Sequence, residues 1–390
     1  MMKKIAVAVL LAAAMFSSAF SMGQTETKSN SRETKWAKDN GLDKDESVDE
    51  LYQKAKAEGA LVIYTISSRT QKVANAFKET YPGINVEVYD ISSGTLKEKF
   101  ATEYKSGIRT VDILHSKEQV GEYTYEMFSE GMLHNYQPAS IFKNVPASYM
   151  TLTPLMLELN LWFYNTEVYK TCPITSWWDL TKPEWKGRVV FQDAASNDAY
   201  CAPLTAMVQH ADEMAADYEK VFGKKIQLAK DEPNAGYAFI KRFLANSPII
   251  AKGSDEVIEL VGAKGQKNPP VGYASSVKLR KQRDGYAINY GPKTMHVSNG
   301  IPALNFIAIA NECKHPNAAK LFIKFWMGGE DGKGKGYEPL VSLGSWSVRP
   351  ENPSAKGNIP LADIPLWKID FDYIYNNIET VRDYWIAHRN

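Results

Sequence analysis

An α/β fold with more than one core is the prediction for this chain, and three observations make it. Short β-branched runs alternate with amphipathic helical segments from residue 47 to residue 114, the rhythm of a layer built from right-handed crossovers. The 390 residues, 44% of them hydrophobic, are enough for two domains with sizeable cores. A basic and then apolar N-terminus marks the chain for export, so the fold is expected to work outside the cytoplasm.

Met1-Met2-Lys3-Lys4 is the short basic start, Ile5 to Phe16 the apolar run, and Ala19 and Ser21 the small residues of a cleavage site near Met22. Residues 1–21 therefore read as a cleaved secretory signal peptide, since the run is shorter than the ~20 residues a spanning helix needs. The first cysteine is Cys172, far from the cleavage point, so a free soluble mature protein is expected. Taking Lys3 and Lys4 from the 46 basic residues leaves 44 against 45 acidic ones, a balance of −1. No basic excess is left to serve nucleic acid or a membrane surface. Cys172, Cys201 and Cys313 have no C-x-x-C spacing; at most one disulfide can form, and the sequence does not choose the pair.

Residues 22–46 are polar, without apolar periodicity, and are expected to be a flexible segment. Ser47-Val48-Asp49-Glu50 has the form of a capping box and opens a helix that Glu58-Gly59 ends. Ala60 to Tyr64 is a short β-branched run, the first buried strand of a parallel sheet. A helix over Gln71 to Thr80, a strand over Ile84 to Tyr89, a helix over Leu96 to Tyr104 and a strand over Val111 to Leu114 continue the alternation. Ligands in such sheets sit beyond the carboxyl ends of the strands, which directs attention to the loops Thr65–Thr70 and Asp90–Thr95. Later, Arg188 to Asp193 reads as a strand, Ala202 to Gln209 and Gly236 to Leu244 as helices, and Asp370 to His388 as a C-terminal helix rich in Tyr and Ile.

Thr175 to Val189 packs three tryptophans and a Pro/Gly-punctuated turn into a short stretch, Ser176-Trp177-Trp178-Asp179-Leu180 followed by Pro183-Glu184-Trp185-Lys186-Gly187-Arg188. It resembles the SWxDL…PxWKGR stretch of the extracellular solute-binding proteins that serve ABC importers for ferric iron, phosphonates, phosphorylated sugars, polyamines and thiamine. His315 to Phe325 resembles the HPxAAKLFIxF helix of the same family. The resemblance covers residues 50 to 350 and implies a two-lobed, periplasmic-binding-protein-like fold of type II, with a ligand cleft between hinge-linked lobes. Lobe 1 is expected over 47–158, with part of 301–350 returning to it, and lobe 2 over 159–300. The apolar runs Leu157–Asn165 and Ile301–Ala310 would be the two crossings of the hinge. Residues 351–390 are left as a helical C-terminal extension. The implied partners are a small anionic solute and an ABC permease with its ATPase at the inner membrane. The protein itself is expected to be a periplasmic monomer without cofactor or catalytic residues.

Ser67-Ser68-Arg69 and Ser92-Ser93-Gly94-Thr95 follow the first two strands. Short hydroxyls leading into a helix N-terminus suit an oxyanion, and Arg69 offers a bidentate contact; the same hydroxyls also serve as plain helix caps. The second of these stretches resembles the family's GSGE loop. Asp193 to Tyr200 resembles its DPxSSGT stretch without the Pro and Gly, and offers Asp193, Ser196 and Asn197 to the ligand. Ser254-Asp255 stands where relatives carry a Ser-Ser pair facing the cleft. At Gly272-Tyr273-Ala274-Ser275-Ser276, ferric-binding relatives carry two adjacent tyrosines. Here Tyr273 is followed by Ala274, while Ser275 and Ser276 extend the hydroxyl lining. The histidines, His115, His134, His210, His296, His315 and His388, show no i,i+4 pair and no H-E-x-x-H spacing, so no metal site is expected. Trp177, Trp178 and Trp185 are assigned to packing, with Trp162 and Tyr273 as the expected cleft aromatics. The expected function is capture of a phosphorylated sugar, a phosphonate or a related oxyanion; the alternative is ferric iron held through a bound anion or chelate. A secreted hydrolase, the reading from a different class, finds no G-x-S-x-G elbow and no standout carboxylate pair.

Overall fold

The computed structural model describes residues 32–389, so the signal-peptide reading of residues 1–21 lies outside the described residues. In chain order the first half contains α1 (Lys35–Asp39), α2 (Val48–Glu58), β1 (Ala60–Thr65), α3 (Arg69–Thr80), β2 (Asn85–Asp90), α4 (Ser93–Lys105), β3 (Ile113–Glu118), a π-helical turn (Tyr123–Phe128), β4 (Leu133–His134), α5 (Ala139–Phe142) and β5 (Pro154–Glu158). The chain continues through β6 (Asn160–Asn165), β7 (Val189–Gln192), α6 (Asp198–Gln209), α7 (Ala211–Phe222), α8 (Ala235–Ala245), β8 (Ile249–Ala251), α9 (Ser254–Gly262), β9 (Val271–Ser275) and β10 (Ile288–Tyr290). It ends with β11 (Ala303–Ala310), α10 (Pro316–Trp326), β12 (Ser345–Ser347) and α11 (Phe371–His388). Two sheets result, one per lobe.

The lobe-1 sheet runs β12-β5-β11-β3-β1-β2, with β4 beside β11. β1 is parallel to β2 and β3, and β11 runs antiparallel between β3 and β5. Local chemistry starts it: Ser47 Oγ accepts the Glu50 N–H, the Glu50 carboxylate accepts the Ser47 N–H, and Gly59 ends α2 at φ 72°. Glu58 then caps a distant helix, accepting the N–H groups of Asn317 at 3.1 Å and Ala318 at 2.8 Å at the start of α10. Phe77 of α3 meets Phe322 and Phe325 of α10 edge-on at 5.0 and 5.4 Å.

The lobe-2 sheet runs β10-β6-β9-β7-β8. Alternation along β6 divides its two faces. Leu161 and Phe163 share a core with Val257, Ile258 and Val261 of α9, while Trp162 and Tyr164 join the core under α6, α8 and α11. α9 lies directly on β9 because Gly272 has no side chain: a Cβ there would stand 2.5 Å from Val257 Cγ1.

Two expectations are corrected, and the helical C-terminal extension, which is found, gains a place in the fold. Over the described part of the flexible segment, residues 32–46 are ordered; Ala37 and Leu42 are buried. The reason lies on α10, where the buried ammonium groups of Lys320 and Lys324 need carboxylates, and Glu46 and Asp45 supply them. The C-terminal extension returns to lobe 2, where α11 packs on α6 and α8 and buries Ile374, Ile378, Val381 and Trp385. The hinge therefore has three crossings and not two: Glu158–Asn160, Gly300–Ala303, and the path from β12, which pairs with β5 in the lobe-1 sheet, to α11, which packs on α6 and α8 of lobe 2. The Trp367 N–H donates to Gly300 O at 3.0 Å, which ties the second crossing to the third. The first turns of α11 reach back to lobe 1, where the Tyr375 ring lies tilted against Tyr125 at 4.9 Å and its hydroxyl donates to Glu126 at 3.4 Å. All three cysteines are free and buried.

Candidate functional site

Between the lobes lies a cavity of about 400 Å³. Lobe 1 supplies Ser93, Gly94 and Lys97 from the start of α4, and Lys117 to Val120 with Glu122 and Tyr123 from the end of β3 and the turn after it. Lobe 2 supplies Ser196 to Ala199 at the start of α6. Two helix N-termini, one from each lobe, thus border the same space. The opening N–H groups of a helix have no partner within it. In α4, Ser92 Oγ accepts the Thr95 N–H at 3.4 Å, so the N–H groups of Ser93 and Gly94 are left outside the intrahelical bonding at the cavity. In α6, Asn197 Oδ1 accepts the Ala199 N–H at 3.0 Å, and Asn197 Nδ2 donates to Gln192 Oε1 at 2.9 Å.

The charged groups of the wall are paired. Lys97 holds Glu122, Lys117 holds Glu158 at 2.6 Å, and Asp198 is held by Arg382 at 2.7 Å. Glu118 is buried, which pushes its carboxyl above its ordinary value, and it accepts N–H groups from Gly121 at 2.8 Å, Gln119 and Thr124 at 3.0 Å, and Val120 at 3.2 Å; these bonds shape the turn that borders the cavity. Burial pushes the Glu158 carboxyl up, but Lys117, and after it Arg69, pull it below its ordinary value. Burial drives the Tyr123 phenol up to about 12, so at neutral pH it meets the cavity as a hydroxyl and not as a phenolate. The wall thus brings two helix starts, two lysines each held by a carboxylate, the acids Glu118, Glu122 and Asp198, and a neutral phenol to one cavity.

Of the residues expected at the ligand, the structure brings Ser93, Gly94, Ser196 and Asn197 together. Ser92 and Thr95 form the cap of α4. Ser67 and Ser68 start α3 away from the cavity lining, with Ser67 Oγ accepting the Arg69 N–H at 3.4 Å. Arg69 also lies outside the lining; its buried Nη1 has no hydrogen-bond partner among the described residues. Asp193 borders a neighbouring cavity of about 300 Å³. Its carboxylate is engaged by the Ala195 N–H at 3.0 Å, Trp385 Nε1 at 2.9 Å and Arg389, and so anchors α11. Ser254 Oγ accepts from Gln192 at 3.2 Å and from the Ser275 N–H at 3.4 Å, which places both serines in the support of β9. Asp255 is a surface acid paired with Lys278 and Lys281.

Tyr273 and Trp162 are core and not cleft. Their rings lie 4.9 Å apart, Tyr273 is fully buried, and its hydroxyl donates to Asn299 O at 2.6 Å. Ser276 is a hinge residue: its N–H donates to Leu159 O at 2.7 Å, its Oγ accepts the Leu159 N–H at 3.2 Å, and its hydroxyl donates to Gly344 O. Gly344, at φ 80°, has no room for a side chain, because a Cβ would lie 2.2 Å from Ser276 O. Trp177 and Trp178 pack as expected, with indole N–H groups donating to Ser298 O and Met214 O at 2.8 Å each.

Lys97, Lys117, Glu118, Gln119, Val120, Glu122 and Tyr123 are the wall residues that sequence reasoning passed over, whereas Asp198 belongs to the Asp193–Tyr200 stretch already singled out. Applying the strand-end rule to the third strand as well as the first two would have pointed to 117–123, but the expected strand stopped at Leu114 while β3 runs to Glu118.

Residues 64–332 match the family model described as bacterial extracellular solute-binding protein. A comparison with curated protein sequences finds no match. Among solved structures, iron-bound HitA from Pseudomonas aeruginosa is 16% identical with a TM-score of 0.62, over 84% of this chain and 99% of that one. AfuA from Actinobacillus pleuropneumoniae with bound fructose-6-phosphate is 17% identical with a TM-score of 0.59, over 85% and 98%. The Trichodesmium IdiA (FutA) protein in complex with iron and citrate is 14% identical with a TM-score of 0.59, over 85% and 99%. At these identities the likeness is one of fold: the two-lobed architecture of periplasmic binding proteins.

Proposed function

We infer the function from one premise: the chain belongs to the bacterial extracellular solute-binding proteins. The solute we propose is a small oxyanion, such as a phosphorylated sugar or a phosphonate, held between the lobes in the periplasm and delivered to an ABC permease. One observation carries this reading, the convergence of the α4 and α6 N-termini from opposite lobes on one cavity. Each terminus favours an anion by about 0.3–1 kcal/mol in an exposed setting and more where water is excluded. An anion touching both termini would bind the closed arrangement better than the open one, and that difference in affinity is what closes a hinge. The role is capture and delivery, with no catalytic step.

The test is thermal unfolding of the protein without residues 1–21 against fructose 6-phosphate, a phosphonate, inorganic phosphate, ferric citrate, a polyamine and thiamine. A solute at about 100 times its Kd stabilises by roughly 2.7 kcal/mol. A shift with phosphate-bearing solutes supports the reading. A shift with the polyamine or thiamine alone overturns it, and a shift with ferric citrate alone moves the assignment to iron carried with an anion.

A further inference from the structure

The C-terminal helix contributes a cation to the wall from 184 residues away. Arg382 Nη2 donates to Asp198 Oδ1 at 2.7 Å, and Nη1 donates to the carbonyls of Ala195 at 3.0 Å and Ala194 at 3.3 Å. Asp198 is the first residue of α6 and borders the cavity, so its carboxylate stands at the helix start that would meet an anion. Unpaired, that carboxylate would repel the solute the helix start attracts. Arg382 also binds Glu379 at 3.2 Å, but the Glu379 side chain is 74% exposed and water screens that pair. The Arg382 side chain is 17% exposed and reaches the wall behind α6 without entering the cavity.

We propose that Arg382 is a positioning residue of the anion site: it masks the charge of Asp198 and holds the turn from Ala194 to Asp198, so that lobe 2 presents the start of α6, with the Asp198 N–H, in place of a bare carboxylate. The proposal rests on the anionic-solute reading and deepens it. Masking Asp198 removes one repulsive charge from a wall in which Glu122 is already held by Lys97, and fastening the turn through two carbonyls and one carboxylate fixes where the start of α6 points. It also gives α11 a part in binding that its distance in sequence conceals.

A thiol placed in the cavity reads its potential without any solute. Ser93→Cys puts that thiol at the α4 N-terminus, and the native cysteines are buried, so alkylation rate against pH reports the introduced group. In that background, Arg382→Gln should raise the thiol pKa by roughly 0.3–1 unit, the effect of one bare charge across a solvated cavity. Asp198→Asn should lower it, and Arg382→Gln combined with Asp198→Asn should return it to the parent value. A turn that had merely loosened would not be restored by the second substitution. Should Arg382→Gln alone fail to fold, comparing Asp198→Asn with the double variant reads the same Arg382 charge, and the double should bring the thiol pKa back up by that roughly 0.3–1 unit. An unmoved thiol in Asp198→Asn, or a shift in Arg382→Gln that persists in the double variant, overturns the proposal. Failure of the anionic reading is seen separately, as the absence of any oxyanion effect on unfolding of the unsubstituted protein.

Discussion

Acidification should destabilise lobe 1 through one buried histidine. His115 on β3 is fully buried, its Nδ1 shares a 2.7 Å hydrogen bond with Thr65 Oγ1, and its ring meets Trp326 edge-on at 5.0 Å. Burial first, and the charge of Lys117 next, push its pKa from 6.5 down to about 3. The folded value lies below the unfolded one, so between these limits the unfolded chain binds the extra proton. Stability is then complete above about pH 6.5 and is lost as pH falls toward 3. From about pH 7 to about pH 5 the loss attributable to His115 is about 2 kcal/mol. The assay is urea unfolding at both pH values for the native chain and His115→Gln, comparing the acid-induced change and not the absolute stability. Carboxylates such as Glu158 lose their contribution only at lower pH and are common to both proteins. The native chain should lose about 2 kcal/mol more than the variant. Equal losses, or a ring-proton NMR titration of His115 near 6.5, would refute the reasoning.

Three further outcomes follow from the placement of the other residues. Tyr273→Phe removes the bond to Asn299 O and should cost about 1–2 kcal/mol of stability while leaving solute affinity unchanged; a tenfold loss of affinity by calorimetry would return that ring to the site. Ser276→Ala unties Leu159 from Gly344 and should cost about 1 kcal/mol and alter affinity through the hinge, so a variant unchanged in both respects would contradict a hinge role. Tyr375→Ala deletes the aromatic contact of α11 with lobe 1, worth about 0.5–1.5 kcal/mol. Its solute-free form should show a larger radius of gyration by X-ray scattering, and an unchanged radius would argue that this contact does not hold the lobes together.

Much of the architecture was legible because its causes are local. The capping box at Ser47, the strand at Ala60, the helices begun near Arg69 and Ser93 and the strand at Val189 depend on hydrogen bonds and periodicity spanning a few residues, and the structure has them within three residues of expectation. The C-terminal helix was legible for the same reason and is found at Phe371–His388. Signals weakened where packing decides: α9 over Ser254–Gly262 was not anticipated, and its place depends on a glycine in β9. Of the cavity lining, Ser93, Gly94, Ser196 and Asn197 were legible because helix starts are written in adjacent residues. Tyr273 was assigned to the cleft, but both faces of β9 are covered, by α9 on one side and by the core under α6, α8 and α11 on the other, and those covering partners are set by the fold and not by adjacent residues. Arg382 and Lys117 were illegible for a related reason. An ion pair is chosen by where the fold brings two charges together, and the chain distances from Asp198 to Arg382 and from Lys117 to Glu158 exceed anything a local pattern records. The sequence by itself determined which segments become strands and helices and which of them begin with groups suited to an anion. Only the tertiary structure decided which of those beginnings face one another and which charges are masked, because both depend on distances through space that residue order does not carry.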